Sequence, residues 1–160
     1  MKRIQRWALL YGGLSLVTAP VLAASGAQPA TIQERARGAE RIVVATVAEA
    51  TARYERNRFG DELIITHARL QVEEEMKGRG GPANLRLEGG TVNGITMRVA
   101  SLPTLAPGER AVFFLTASGN GEFDPHLRGQ GILKLDSTNH VRGSSLSLDD
   151  VRRMASGSGK

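Results

Sequence analysis

The chain of 160 residues contains no cysteine. It therefore forms no disulfide bond, offers no thiolate to a metal ion and has no cysteine nucleophile. Attachment of a lipid at a signal cleavage site also needs a cysteine, so a lipoprotein is excluded. Because no cofactor-binding motif stands in place of these groups, we expect neither a cofactor nor a resident metal ion.

Aromatic residues are also scarce, at 4% of the chain. Proteins that bind nucleic acids or sugars by stacking combine aromatic side chains with suitable polar or basic surfaces. Trp7 and Tyr11 lie near the start, and the remaining aromatic residues are Tyr54, Phe59, Phe113, Phe114 and Phe123. The last three occur in apolar or turn-flanked strand patterns that favour the core. We therefore expect no nucleic-acid partner and no aromatic platform for sugars.

The first 24 residues have the three parts of a secretory signal peptide. Three basic residues form a positive start, an uncharged run follows over residues 7–22, and small residues surround Ala23 and Ala24. This order predicts cleavage after Ala23 or Ala24. The alternative is an uncleaved anchor, but the run contains two glycines and a proline and falls short of the roughly 20 strongly apolar residues that a spanning helix needs.

Cleavage changes the charge of the chain. The formal net charge is +5, and Lys2, Arg3 and Arg6 contribute three of these charges in a segment without acids, so +2 remains. This near balance is not typical of a nucleic-acid binder. We expect an exported protein, periplasmic or extracellular, whose mature chain has no integral membrane segment.

Strand patterns dominate the rest of the sequence. Residues 41–50 begin with a β-branched run and residues 111–115 are apolar, as in strands covered on both faces. Alternation over residues 63–75 places every second side chain from Ile64 to Val72 towards the core, and Ile65 and His67 on the outer face. The predicted core consists of Val44, Val47, Leu70, Val72, Val112 and Phe114.

Turn and cap signals separate these runs. The Asn-Gly pair at residues 93–94 predicts a tight hairpin, and the Pro-Gly pair within residues 105–108 predicts a type II turn. Residues 123–131 appear irregular in the sequence. Residues 31–40 predict one or two helical turns, and the serine with two nearby acids at the start of residues 147–154 predicts a second short helix.

Closely spaced strands with almost no helix predict an all-β fold. We expect a small antiparallel, OB-like barrel or sandwich of about six to eight strands with a short C-terminal helix. The expected organisation is a signal peptide at 1–24, a linker or short helix at 25–39, a barrel-like domain at 40–146, and a short helix with a flexible tail at 147–160.

Four ordered segments carry a resemblance to known proteins. They are RIVVATVAEATARYE at 41–55, LQVEEEMKG at 70–78, LEGGTVNG at 87–94 and LPTLAPGERAVFFL at 102–115. In this order they resemble an uncharacterised family of exported bacterial proteins with small β-domains. More distantly, the strand leading into Lys77-Gly78 is similar to OB-type barrels of the netrin and metalloproteinase-inhibitor class. Those inhibitors bind the target's zinc through an N-terminal cysteine. Because this chain has no cysteine, the resemblance implies the fold and not that mechanism.

No pattern in the sequence identifies catalytic residues. No G-x-S-x-G elbow surrounds a serine, and no Ser, His and Asp have the spacing of a recognised triad. We interpret His67, His126 and His140 as unrelated surface side chains. Asp124 and His126 form a D-x-H pair, which leaves a metal-dependent enzyme as the alternative function. The acidic run at residues 73–75 is interpreted as a solvated strand end.

Arg53, Arg56 and Arg58 surround Tyr54 near a predicted hairpin tip. Arginine combined with an aromatic side chain suits an acidic partner or a headgroup, which makes this cluster a candidate binding site. The alternative is that these charges protect an edge strand against pairing with another chain.

The second candidate binding feature is the loop that contains Gly89, Gly90 and Asn93. Glycine-rich loops at a barrel rim often carry binding sites, although turn geometry also explains each of these residues. The sequence therefore predicts an exported, non-catalytic β-domain that binds an envelope or extracellular partner, such as a protein.

Overall fold

The computed structural model describes residues 28–157, so the expected signal peptide lies outside the described residues. The described part of the chain is mostly β-strand. Its elements, in chain order, are α1 (Ile32–Gly38), β1 (Arg41–Arg56), β2 (Glu62–Lys77), β3 (Ala83–Glu88), β4 (Gly90–Val92), β5 (Ile95–Met97), β6 (Arg110–Gly119), β7 (Glu122–Pro125), a 3₁₀ turn (Arg128–Gly131), β8 (Ile132–Lys134) and α2 (Leu148–Ser156). The prediction that strands dominate and that a short helix lies near the C-terminus is confirmed.

The strands form a mixed sheet and a separate hairpin. The larger sheet has the order β1-β2-β3-β7-β6-β8, with an additional pairing between β1 and β6, and β4 pairs with β5. Since β3 and β7 run parallel, the prediction of an antiparallel sheet is wrong at this pairing. Strands β1, β2, β3, β7 and β6 pair in a cycle, and directions cannot alternate around an odd number of strands.

One apolar cluster lies on the face shared by β1, β2, β3 and β6. Val47 and Leu70 are buried in it, and Val72 is only partly buried against it. Ile65, which was predicted on the outer face of β2, is fully buried, so this face is not exposed at that position. Alternation predicts which side chains of β2 share a face. It does not predict that other parts of the structure cover both faces of the strand.

A second apolar cluster joins the helices to the opposite face of β1 and β6. Val44, Val112 and Phe114 are fully buried in it. The helices begin as their sequences predict, because Thr31 and Ser147 each form a capping box with the acid three residues later. The central strands β1 and β6 are therefore covered on both faces.

The acidic run at the end of β2 is partly exposed, as predicted, but each of its carboxylates is also ion-paired. Its three carboxylates bind cations from three different elements, which the sequence does not bring together. The ion pairs are Glu73 with Arg110 at 2.6 Å, Glu74 with Arg152 at 2.6 Å and Glu75 with Arg41 at 2.9 Å. These contacts connect β2 to β6, α2 and β1.

The segment 123–131 is also more regular than expected. Its first residues belong to β7, which pairs with β6 on one side and with β3 on the other. Phe123 packs against the first apolar cluster. Such a short strand has too few residues to show an alternating pattern, and its order comes from pairing with distant segments.

Candidate functional site

A cleft of about 550 Å³ lies beside the β1, β2 and β3 end of the first apolar cluster. Its lining comes from these strands, from β4 and β5, and from the connection between β5 and β6. Its lining includes Ala50, Ala52, Thr66, Glu88, Gly89, Gly90, Arg98, Leu102, Thr104 and Leu105. This volume is within the range of roughly 300–1,000 Å³ that small-ligand sites occupy.

The connection between β5 and β6 forms hydrogen bonds with other elements at several points. The amide of Gly129 donates a hydrogen bond to the carbonyl of Ser101 at 3.0 Å. The Nζ of Lys134 donates to the carbonyl of Thr104 at 2.7 Å. The amide of Val47 donates to the carbonyl of Glu109 at 2.8 Å. This wall of the cleft is therefore held by several elements.

Gly89 and Gly90 allow the close approach that forms another wall. Their φ angles are +104° and +137°, and a Cβ on Gly90 would lie 2.6 Å from Thr66 Oγ1 and 2.8 Å from Ala52 Cβ. The Thr66 hydroxyl donates a hydrogen bond of 2.6 Å to the carbonyl of Gly89. Both glycines are therefore required where β4 lies against β1 and β2.

Asn93 lies at the tip of the β4–β5 hairpin and does not line the cleft. Its φ of 50° and the φ of 80° at Gly94 are both positive, as a type I′ turn requires. The predicted hairpin is confirmed, and turn geometry accounts for this asparagine.

The arginine cluster lies at the tip of the β1–β2 hairpin, as predicted, but outside the cleft lining. Arg53 forms an ion pair with Glu55 at 2.8 Å. Arg58 lies over the exposed ring of Phe59, 4.7 Å from its centre, whereas Arg56 forms no ion pair among the described residues. Tyr54 is 39% exposed. This surface combines cationic and apolar groups.

In the part of the chain that the structure describes, the outer edge of β1 is unpaired over residues 49–56. Pairing with β6 covers residues 41–46, and hydrogen bonds with Gly108 and Glu109 continue the contact to Val47. Beyond this point β1 pairs only with β2 within the described part of the chain. Ala50 and Ala52, on the unpaired stretch, line the cleft.

His67 is not an isolated surface side chain, which corrects its predicted environment. Its Nε2 lies 2.7 Å from Glu55 Oε1, and its Nδ1 lies 2.7 Å from Glu122 Oε1. Burial works to raise the pKa of Glu55, but hydrogen bonds from Arg53 and His67 outweigh it and hold that pKa below its ordinary value.

Asp124 and His126 do not form part of a multidentate metal site in the described residues. Across residues 28–157, no group of three or more His, Cys, Asp or Glu side chains is arranged to hold a metal ion. The His126 ring packs so closely beside Gly38 that an added Cβ there would clash with Nε2. His140 is separate and contacts the hydroxyl of Thr138 at 3.1 Å.

Sequence reasoning found the glycines of the cleft and raised an edge strand as the alternative interpretation of the arginines, but it missed Arg98. Arg98 forms no ion pair or hydrogen bond among the described residues and lines the cleft. The observed strand lengths account for the free edge, because β1 is 16 residues long whereas β6 has 10. A long strand cannot be paired along its whole length by a shorter neighbour.

No protein-family model matches the chain, and no curated protein matches it either. Among the described residues, every helix is too short or too polar to cross a membrane.

Proposed function

We propose that this chain is an exported, non-catalytic β-domain that binds a periplasmic or extracellular partner. The cleft is the observation that carries this proposal. It combines apolar groups with the cation of Arg98, which has no ion-pair partner within residues 28–157. Glu88, the carboxylate among the described lining residues, is paired with Arg128 at 3.0 Å. This lining supplies groups for recognition but contains no histidine or nucleophile–base pair.

The proposed fold is an OB-like barrel formed by β1, β2, β3, β6 and β7. Its support is the cycle of pairings among these strands, together with the parallel pairing of β3 and β7. OB-folds are five-stranded Greek-key barrels that use the loop between their first two strands in ligand binding. Here the corresponding turn carries Arg58, next to the arginines of β1.

Export and kinship with small exported β-domains belong to the same proposal. The support for export is the order of basic, apolar and small residues over residues 1–24. The support for kinship is the four ordered sequence segments, which include the Gly89-Gly90 wall of the cleft. A protein partner is favoured because the cleft adjoins the β4–β5 hairpin, in which residues 93–96 are exposed.

Partner capture tests the proposed binding function. The full chain is expressed in a bacterial host, recovered from the exported fraction and used to capture cross-linked proteins at low and high salt. We compare it with an Arg53→Ser, Arg56→Ser, Arg58→Ser variant and with a matched Arg79→Ser control at an exposed position on another loop. We expect the triple variant to capture less of the same partner and to lose much of the salt dependence.

An Asp124→Asn, His126→Gln variant tests the alternative metal-dependent activity. We expect it to retain partner capture after circular dichroism has confirmed its fold. Equal capture by the wild type and the triple-arginine variant would show that these arginines are not part of the interface. Two results together would contradict the binding function. The wild type would capture no specific partner, and the Asp124/His126 variant would lose both bound metal and activity.

A further inference from the structure

We infer that the partner contributes an extended segment with acidic side chains, which adds a strand to the free edge of β1 along the cleft. This inference rests on the proposed binding function and specifies its mode. It requires an accessible backbone edge, space for alternate side chains and cations near the added strand. The described structure supplies all three.

The backbone edge supplies the first requirement. Among residues 28–157, strand β1 continues from Val47 to residue 56 without a pairing partner on the side opposite β2. Outward N–H and C=O groups on such an edge can form the ladder that joins two strands. Extended peptides bind this way, and their main chain contributes affinity while alternate side chains occupy pockets.

The cleft supplies the second requirement. Ala50 and Ala52 belong to the unpaired part of β1 and line the cleft with small side chains. Leu102 and Leu105 also line it and pack against the first apolar cluster. A strand alongside β1 has side chains that alternate between its faces, so every second side chain can enter this apolar space.

The charges supply the third requirement. Arg98 lines the cleft without an ion pair, and Arg56 at the end of the free edge also lacks one among the described residues. The nearby acid Glu49 is already paired with Arg69 at 2.5 Å. Glu62 lies across the β1–β2 ladder from Arg56, so Arg98 has the least local compensation. Aspartate or glutamate in the added strand would complement these cations.

A displayed library tests whether the edge accepts a peptide strand. Random peptides of about ten residues, a length sufficient to pair with the exposed edge, are selected on the exported protein. We expect selected peptides to alternate apolar and acidic side chains. Their binding should protect alternate amides within residues 49–56 from hydrogen exchange.

Backbone changes in a selected peptide distinguish strand addition from side-chain binding. N-methylation at alternate peptide positions should reduce affinity by about tenfold or more, whereas methylation at intervening positions should have a much smaller effect. An Arg56→Ser, Arg98→Ser variant should bind roughly two- to tenfold more weakly and with less salt dependence. Arg79→Ser is the matched control and should bind like the wild type.

Failure to select a peptide, protection outside residues 49–56, or equal effects of both methylation patterns would overturn strand addition. Sedimentation tests whether a second copy of this chain binds the edge instead. Self-association that protects residues 49–56 from exchange without peptide would show that the added strand comes from another copy, and it would overturn the proposed partner. Capture of an exported-compartment protein without edge protection would leave the binding function intact and refute this mode. Peptide binding without a specific native partner would instead contradict the proposed function.

Discussion

The close contacts of Gly90 explain how one glycine shapes the candidate site. Its positive φ and the short distances from a built Cβ to Thr66 and Ala52 leave no unstrained place for a side chain. Gly90→Ala should therefore lower the free energy of unfolding by about 1–3 kcal/mol, through backbone strain and displacement of β4.

Gly80→Ala is the matched control for that prediction. Gly80 has no positive φ, and a Cβ built there meets no heavy atom within 4 Å. Urea unfolding measures both changes. A Gly90 variant as stable as the Gly80 variant would show that β4 does not lie as closely against β1 and β2 as described.

Phe114 tests the second apolar cluster. Its side chain is fully buried between the central sheet and the helices, and Phe→Ala changes in cores cost about 3–5 kcal/mol. A small domain has only about 5–15 kcal/mol of total stability, so Phe114→Ala should unfold the protein or nearly do so.

Phe59→Ala is the corresponding exposed-site control, because Phe59 is 75% exposed at the β1–β2 turn. Denaturant melts should show little change for this variant. Similar melting of the Phe114 and Phe59 variants would contradict the assignment of Phe114 to the core.

Local sequence signals predicted some residues of the site, but they did not predict which of these residues come into contact in the fold. Glycine at residues 89 and 90 and the Asn-Gly turn follow from backbone preferences. The contact of Gly90 with Thr66 and Ala52 depends on how separate strands pair. For the same reason, the sequence did not show that His67 lies between carboxylates from β1 and β7.

At the scale of elements, the cap of α2 gives a pH-dependent prediction. Hydrogen bonds from the side chain and then the backbone of Ser147 lower the pKa of Asp150 below its ordinary value. The charged carboxylate stabilises the folded state above the unfolded-state pKa, and this contribution is lost as pH falls through the lower folded-state pKa.

Asp150→Asn should therefore reduce stability at neutral pH, with a smaller difference from the wild type in strong acid. Urea unfolding at several pH values measures this difference, while far-ultraviolet circular dichroism follows α2. A difference that stays constant from neutral to strongly acidic pH would contradict an important role for the Asp150 charge.

An element could be predicted from the sequence where the pattern that specifies it lies within the element itself. Strands β1, β2 and β6 have extended apolar patterns, and each helix has a cap within its own sequence. Strand β7 has four residues and depends on pairing with β6 and β3. The ion pairs of the acidic run similarly depend on distant cations, so alternation alone did not predict them.

At the scale of the whole molecule, export predicts a defined processing product. The protein recovered outside the cytoplasm should begin at Ala24 or Ser25, because cleavage is expected after Ala23 or Ala24. Intact-mass measurement checks this start. Retention of Trp7 in a membrane-bound product would contradict signal cleavage.

Composition and strand patterns predicted the all-β class, but strand order required the complete fold. The parallel pairing of β3 and β7 follows from a cycle among segments that are distant in sequence. The free edge of β1 arises because β6 covers only its first part. Consequently, sequence reasoning located the Gly89-Gly90 wall but not the whole cleft that it helps form.

The central claim is that the cleft binds an exported-compartment partner. Site-specific photo-crosslinking tests this directly by placing a photo-reactive residue at Thr104 in the cleft wall, with the same residue at Arg79 as control. Mass spectrometry of the exported protein should identify a partner adduct at Thr104, with little adduct at Arg79. Equal partner labelling at both positions, or no partner labelling at Thr104, would contradict recognition through the cleft.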